Sequence, residues 1–176
     1  MSEIKKIWNR TLHQSKLVFV LSAIAFLLAI GLLIAFVAII SVQKIDSFEN
    51  VPQSLIVASI VIQIVVLLLI ANVFGFSCNL KNSLGYDNVG SIGKTIIIAF
   101  IWMFCLFYAI VFIVSNLVAS GCISVANTAW CICQYVACSI PLVVMVLGFI
   151  IYRMTKNAYN SEKIIKTHKS NAELED

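Results

Sequence analysis

Three neighbouring cysteines, Cys122, Cys131 and Cys133, have the type and spacing to do covalent chemistry in this chain. In an oxidising compartment Cys122 could pair with either of the other two, which makes them a candidate redox or disulfide set. Thiol-disulfide exchange through a Cys-x-x-Cys pair needs two intervening residues, and the chain offers only Cys131-x-Cys133. No histidine or carboxylate accompanies them, so we expect no metal and no cofactor. The competing reading treats them, with Cys78, Cys105 and Cys138, as small apolar residues that pack helix interfaces.

A second chemistry is hydrogen bonding inside apolar sequence. Gln63, Asn72, Gln134 and Ser139, with Pro141 beside them, interrupt otherwise aliphatic stretches. A carboxamide in hydrocarbon costs free energy unless it finds a partner, so Gln63 and Asn72 are both expected to face protein. As glue between helices such a bond contributes about 0.6 kcal/mol on average. The alternative is a polar lining for a solute path. The end of the Gly85–Thr95 stretch, Gly93-Lys94-Thr95, copies the close of a phosphate-binding loop, but Asn88 stands where that loop requires glycine. A flexible turn with Lys94 as a headgroup anchor is the simpler expectation.

The elements that must position these residues follow from composition. Of the 176 residues 61% are hydrophobic and only 11% charged, well outside the range of soluble domains. Uncharged runs extend over Leu17–Gln43, Asn50–Leu80 and Thr95–Tyr152. A hydrocarbon core about 30 Å thick takes roughly 20 helical residues, so the last run crosses twice as a hairpin. The expectation is an all-α integral membrane protein, a four-transmembrane-helix bundle with spans at about 17–41, 54–77, 95–118 and 129–152. Residues 1–152 form one membrane domain, and 153–176 a tail, basic then acidic.

All but Lys44 of the 12 lysines and arginines fall before the first span, between the second and third, or after the fourth. Four crossings place those segments on one side, so both termini are expected in the cytoplasm. This basic side would meet anionic lipid headgroups, and nucleic acid is not an expected partner. The first apolar run is too long for a cleavable signal and reads as an uncleaved span. Ile4, Ile7, Trp8 and Leu12 share one helical face ahead of it, consistent with a short interfacial helix.

Within the spans, Ala25 and Ala29, then Gly31 and Ala35, are small residues at four-residue spacing that would let backbones approach closely. Phe104, Tyr108 and Phe112 share a face in span three, and Ser115 and Asn116 are expected near the headgroups or the hairpin turn. Pro141 predicts a kink around 137–141.

None of the four expected spans carries Asp, Glu, Lys, Arg or His. Ion-coupled carriers and many membrane-embedded enzymes use ionisable groups at depth. The four-helix small multidrug carriers need an acidic residue in the first span, which is missing here. The expected function is non-enzymatic: an accessory, scaffold or regulatory subunit that associates with other membrane-protein subunits or with itself in the lipid bilayer. The alternatives are an uncoupled small-solute transporter or channel-like oligomer and, third, a thiol-disulfide redox protein. A bacterial plasma membrane is the default location for so compact a chain, although an endomembrane would hold the same helices. The orientation has a direct check. Tags on the two termini should both resist protease in sealed right-side-out vesicles and both be cut once the vesicles are opened.

Overall fold

The computed structural model describes the helical backbone of residues 2–43, 53–84, 92–119 and 127–172. It describes side chains over 7–35, 56–82, 92–117 and 133–161, with those at 37, 38 and 54. The four helices are α1 (Ser2–Gln43), α2 (Gln53–Leu84), α3 (Ile92–Ala119) and α4 (Asn127–Ala172), and the described residues contain no strand. All four are long and apolar enough to cross a membrane. Each packs against its neighbour in sequence, and α1 closes the ring on α4.

A repeating step of three and four residues builds the interior. In α1 the buried positions include Trp8, Thr11, Ser15, Val18, Ser22, Ala25, Ala29 and Leu32. In α2 they are Ser59, Gln63, Val66, Ile70, Val73, Ser77 and Leu80. Gln134, Ala137, Pro141, Val144, Gly148, Ile151 and Thr155 continue the pattern in α4. Lys94, Ile98, Ile101, Cys105, Tyr108, Val111 and Ser115 follow it in α3 apart from one short step. A period of 3.5 keeps one seam of each helix facing its partners along its whole length, the packing mode of left-handed bundles. The opposite faces present large aliphatic and aromatic side chains to the surroundings, among them Leu27, Ile34, Val57, Leu106, Ile110 and Phe149.

The small-residue pairs of α1 separate on this seam: Ala25 and Ala29 are buried, while Gly31 and Ala35 lie exposed. The tightest described glycine is Gly148 in α4. A Cβ there would meet Ser22 Oγ at 3.1 Å and Phe19 Cα at 3.3 Å, so its missing side chain sets how closely α4 approaches α1. Ser22 fits because its Oγ turns back to its own helix, 2.8 Å from the carbonyls of Val18 and Phe19. Thr11, Ser15 and Thr155 satisfy themselves in the same way.

The N-terminal amphipathic segment is not a separate interfacial helix, because α1 runs without a break from Ser2 to Gln43. Beyond the expected fourth span the tail continues as helix, and α4 reaches Ala172. At about 1.5 Å per residue these helices reach roughly 63 and 69 Å, twice the thickness of a hydrocarbon core. The excess lies at the end of the bundle that carries both termini. There Trp8 is buried against Tyr159 with ring centroids 6.3 Å apart, so α1 and α4 stay paired beyond the apolar band. The seam is kept on both helices as far as Trp8 and Tyr159.

A belt of aromatic and cationic side chains marks where the band ends. Phe19 stacks on Tyr152 at 6.1 Å, Arg153 lies over Phe149, and Lys156 lies over Tyr152. Across the bundle Lys81 sits 4.7 Å above the Trp102 ring, whose Nε1–H donates to Ser77 Oγ at 2.7 Å. Amphipathic rings and snorkelling cations of this kind occupy headgroup depth. Lys94, read from sequence as another headgroup anchor, is instead enclosed by protein, only 3% exposed. The helix of α4 passes through Pro141 without interruption, and Pro141 is buried.

Gly148→Leu should lower resistance to unfolding by about 1–3 kcal/mol through overpacking against Phe19 and Ser22. Gly31→Leu, where nothing lies within 4 Å of a built Cβ, should leave it unchanged. Denaturation midpoints in mixed micelles would compare the two.

Candidate functional site: a carboxamide layer

The most developed polar arrangement in the bundle joins three helices. Gln63 of α2 and Gln134 of α4 are both buried, at 4% and 5% exposure. Gln63 Nε2 donates to Gln134 Oε1 at 2.6 Å and to Ser59 Oγ, one turn back on its own helix, at 3.1 Å. Gln134 Nε2 in turn donates to Ser115 Oγ of α3 at 2.8 Å. The result is a chain, Ser59–Gln63–Gln134–Ser115, that crosses the bundle diagonally.

Local sequence explains why the four groups meet. Ser59 and Gln63 lie on one face of α2 because residues four apart stack on a helix. Among the described residues Gln134 is the first of the buried seam of α4, and Ser115 the last of that of α3. Gln63 is ten residues into α2, Gln134 seven into α4, and Ser115 four short of the end of α3. The layer therefore lies about 6 to 15 Å from those helix ends, on the side opposite the termini. Tyr108, Ile70, Val66 and Val144 separate it from the Ser77–Trp102 cluster with a wholly enclosed apolar core.

Carboxamides suit this position because each carries both donors and an acceptor. Away from water an unpaired one would carry the full desolvation penalty, whereas a paired one ties helices together at a defined register. None of the four side chains is ionisable in the physiological range, and the bonds they make tie α2, α3 and α4 together. Among the described residues no three His, Cys, Asp or Glu gather as a metal site would require.

The other polar residues singled out in the sequence are not brought to this layer. Asn72, expected to face protein, lies exposed on the outside of α2, and its Nδ2 donates to Leu68 O at 2.8 Å. It is satisfied in part by its own helix. Ser139 is also exposed and donates to Val136 O. Asn116 donates to Phe112 O. Ser115 lies four residues from the outward end of α3, towards the hairpin turn, and is enclosed by the bundle. Of the cysteines, Cys105 and Cys138 are buried free thiols, while Cys78 and Cys133 are free and half-buried. Cys122 lies outside the described residues, as does the side chain of Cys131, so the candidate Cys122–Cys131–Cys133 set is described only at Cys133.

Comparison with protein-family models, curated proteins and solved structures returned no match. The site is therefore read from its own geometry. The partners of Gln63 and Gln134 were accessible to sequence reasoning only in part: Ser59 is one helical turn before Gln63, but Ser115 is recognisable only once the 3.5-residue seam is laid over α3. Gly148, a lone glycine in an apolar run, carries no signal in the sequence.

Gln134→Leu should destabilise the bundle more than Gln63→Leu, because it removes two interhelical bonds, leaving Gln63 only its Ser59 contact and taking from Ser115 its α4 donor. The double-mutant cycle between them should return a coupling of about 0.6 to 1.7 kcal/mol, read from unfolding in micelles.

Proposed function

We propose that the protein is a non-enzymatic component of a membrane assembly, an accessory, scaffold or regulatory subunit that acts by associating with other transmembrane helices. The observation that carries this reading is how the intramembrane polar groups are divided. The interior carboxamides Gln63 and Gln134 bond to each other, while Asn72, between them and the headgroup belt, lies on the outside of the bundle. A helix that presents hydrogen-bonding capacity to lipid has use for it only when another helix arrives, since acyl chains offer no partner.

The reading extends to placement. Both termini, with the paired extension of α1 and α4 and its exposed Arg10, Lys16, Arg153 and Lys156, belong in the cytoplasm against anionic headgroups, in the plasma membrane of a bacterium. The alternative, an uncoupled solute path, draws less support. Asn72 and Ser139 lie on the outer surface, so a path within one copy cannot use them together with Gln63 and Gln134.

Photo-crosslinking from lipid-facing positions on α2 and α3 in the native membrane tests the proposal. The expected outcome is a discrete adduct with an integral membrane protein whose abundance or activity falls when this chain is deleted. A chain that stays monomeric from every position contradicts it.

A further inference from the structure

We propose that the groove between α1 and α4, at the end of the bundle that carries the termini, binds one anionic phospholipid, with its phosphate held by Lys16, Arg153 and Lys156 and an acyl chain laid over Phe19 and Phe149. The site rests on the headgroup depth of the aromatic and cationic belt, and it turns a general attraction of this end for anionic lipid into one defined position. It needs neither a protein partner nor a particular side of the membrane.

Helical spacing gathers the residues. Positions three and four apart share a face, so Phe149, Tyr152, Arg153 and Lys156 form one strip on α4, and Lys16 joins Phe19 on α1. Phe19 lies against both α4 rings, with centroids 5.5 Å from Phe149 and 6.1 Å from Tyr152, while Trp8 meets Tyr159 further along. The two helices therefore run antiparallel, and Lys16 comes near the depth of Arg153. Cations from both helices surround a floor of three rings. That floor is fixed from beneath, because the Cα of Phe19 is 3.3 Å from where a Cβ on Gly148 would stand.

Charge selects the occupant. Lys16, Arg153 and Lys156 are all exposed, and among the residues whose side chains are described there is no Asp or Glu. The nearest carboxylate in sequence, Glu162, is six residues past Lys156, outside the three- or four-residue spacing at which helical side chains pair. Both α4 cations lean back along the helix over rings one turn nearer the hydrocarbon, Arg153 over Phe149 at 5.8 Å and Lys156 over Tyr152 at 5.9 Å. Positive charge is thereby held at the depth of lipid phosphates. Past Phe19 and Phe149 the same faces continue in half-buried Ala23 and Met145, an apolar track that an acyl chain covers and a free phosphate leaves empty. The other described cations make no comparable set. Lys81 stands over Trp102 on the far side of the bundle, Lys94 is enclosed, and Arg10 is about two and a half turns from Phe19, on the opposite side of α1.

Native mass spectrometry of the purified protein in mild detergent, with phosphatidylglycerol or phosphatidylcholine titrated in, tests the site. Wild type should retain one phosphatidylglycerol per chain under conditions that strip phosphatidylcholine. Lys16→Gln, Arg153→Gln and Lys156→Gln should each weaken that binding about fivefold, the contribution of one basic residue at a lipid surface, and Arg10→Gln should leave it unchanged. All four residues are exposed, so unfolding midpoints in phosphatidylcholine bicelles should match wild type, which separates lost binding from lost fold. Added phosphatidylglycerol should raise the midpoint of wild type and not that of the triple groove variant. Equal retention of phosphatidylcholine overturns the site, as does a loss with Arg10→Gln as large as with the groove substitutions, or binding indifferent to all of them. Each of these outcomes is read on the purified chain alone and leaves the crosslinking test of helix association standing.

Discussion

Inside hydrocarbon no hydrophobic effect pushes helices together, because acyl chains are as apolar as leucine. Cohesion must come from close packing and from polar groups that have nowhere else to bond, and this constraint organises the whole bundle. The 3.5-residue seam supplies the first. Ala25, Ala29 and Gly148 allow backbones to approach, and Ser22, Thr11, Ser15 and Thr155 hold small polar groups at the interface while satisfying them within their own helices. The Gln63–Gln134–Ser115 chain supplies the second at one end, and Trp102 with Ser77 supplies it at the other. Between them the core is apolar and enclosed, with Ile70, Val66, Ile101 and Tyr108 at its centre.

Polarity thus does positional work. A packed aliphatic core tolerates sliding by one repeat of its seam, whereas a carboxamide pair loses its bonds if either helix shifts by a turn. Placing Gln63 and Gln134 on diagonally opposed helices fixes α2 against α4, and the bond onward to Ser115 brings in α3. α1 is held differently, through the close contact at Gly148, the Phe19–Tyr152 stack and the continuation of the pair to Trp8 and Tyr159. That pairing carries α1 and α4 beyond the apolar band as a helical extension whose exposed residues include Arg10, Lys16, Arg153 and Lys156.

Much of the architecture was legible in the sequence because charge and apolar length are strong, local signals. Each of the four helices contains one of the expected spans, and the aromatic face of Tyr108 does reach the core. The ends of α1 and α4 were not legible, since their extension depends on pairing between residues some 150 positions apart, such as Trp8 and Tyr159. Facing was the harder problem. In water a polar residue turns outward and an apolar one inward, but in a membrane every surface is apolar and that asymmetry fails. Gln63 and Asn72 looked alike in sequence; only the seam, stepping through Gln63 and missing Asn72, separates them. For the same reason Ala25 and Gly31 could not be sorted into buried and exposed until α1 was seen against its partners.

The central claim is that the polar interior is sealed glue, and two native cysteines can report on it without substitution. Cys138 is buried one turn from Gln134, and Cys105 is buried in the core near Tyr108. Intact membranes would be treated with a small, water-soluble methanethiosulfonate and each cysteine scored by peptide mass spectrometry, with denatured protein as the reference. A sealed interior predicts that Cys105 and Cys138 stay unmodified until the protein is denatured. Modification of Cys138 in intact membranes, as fast as in the denatured chain, would mean that water reaches the carboxamide layer and would contradict it.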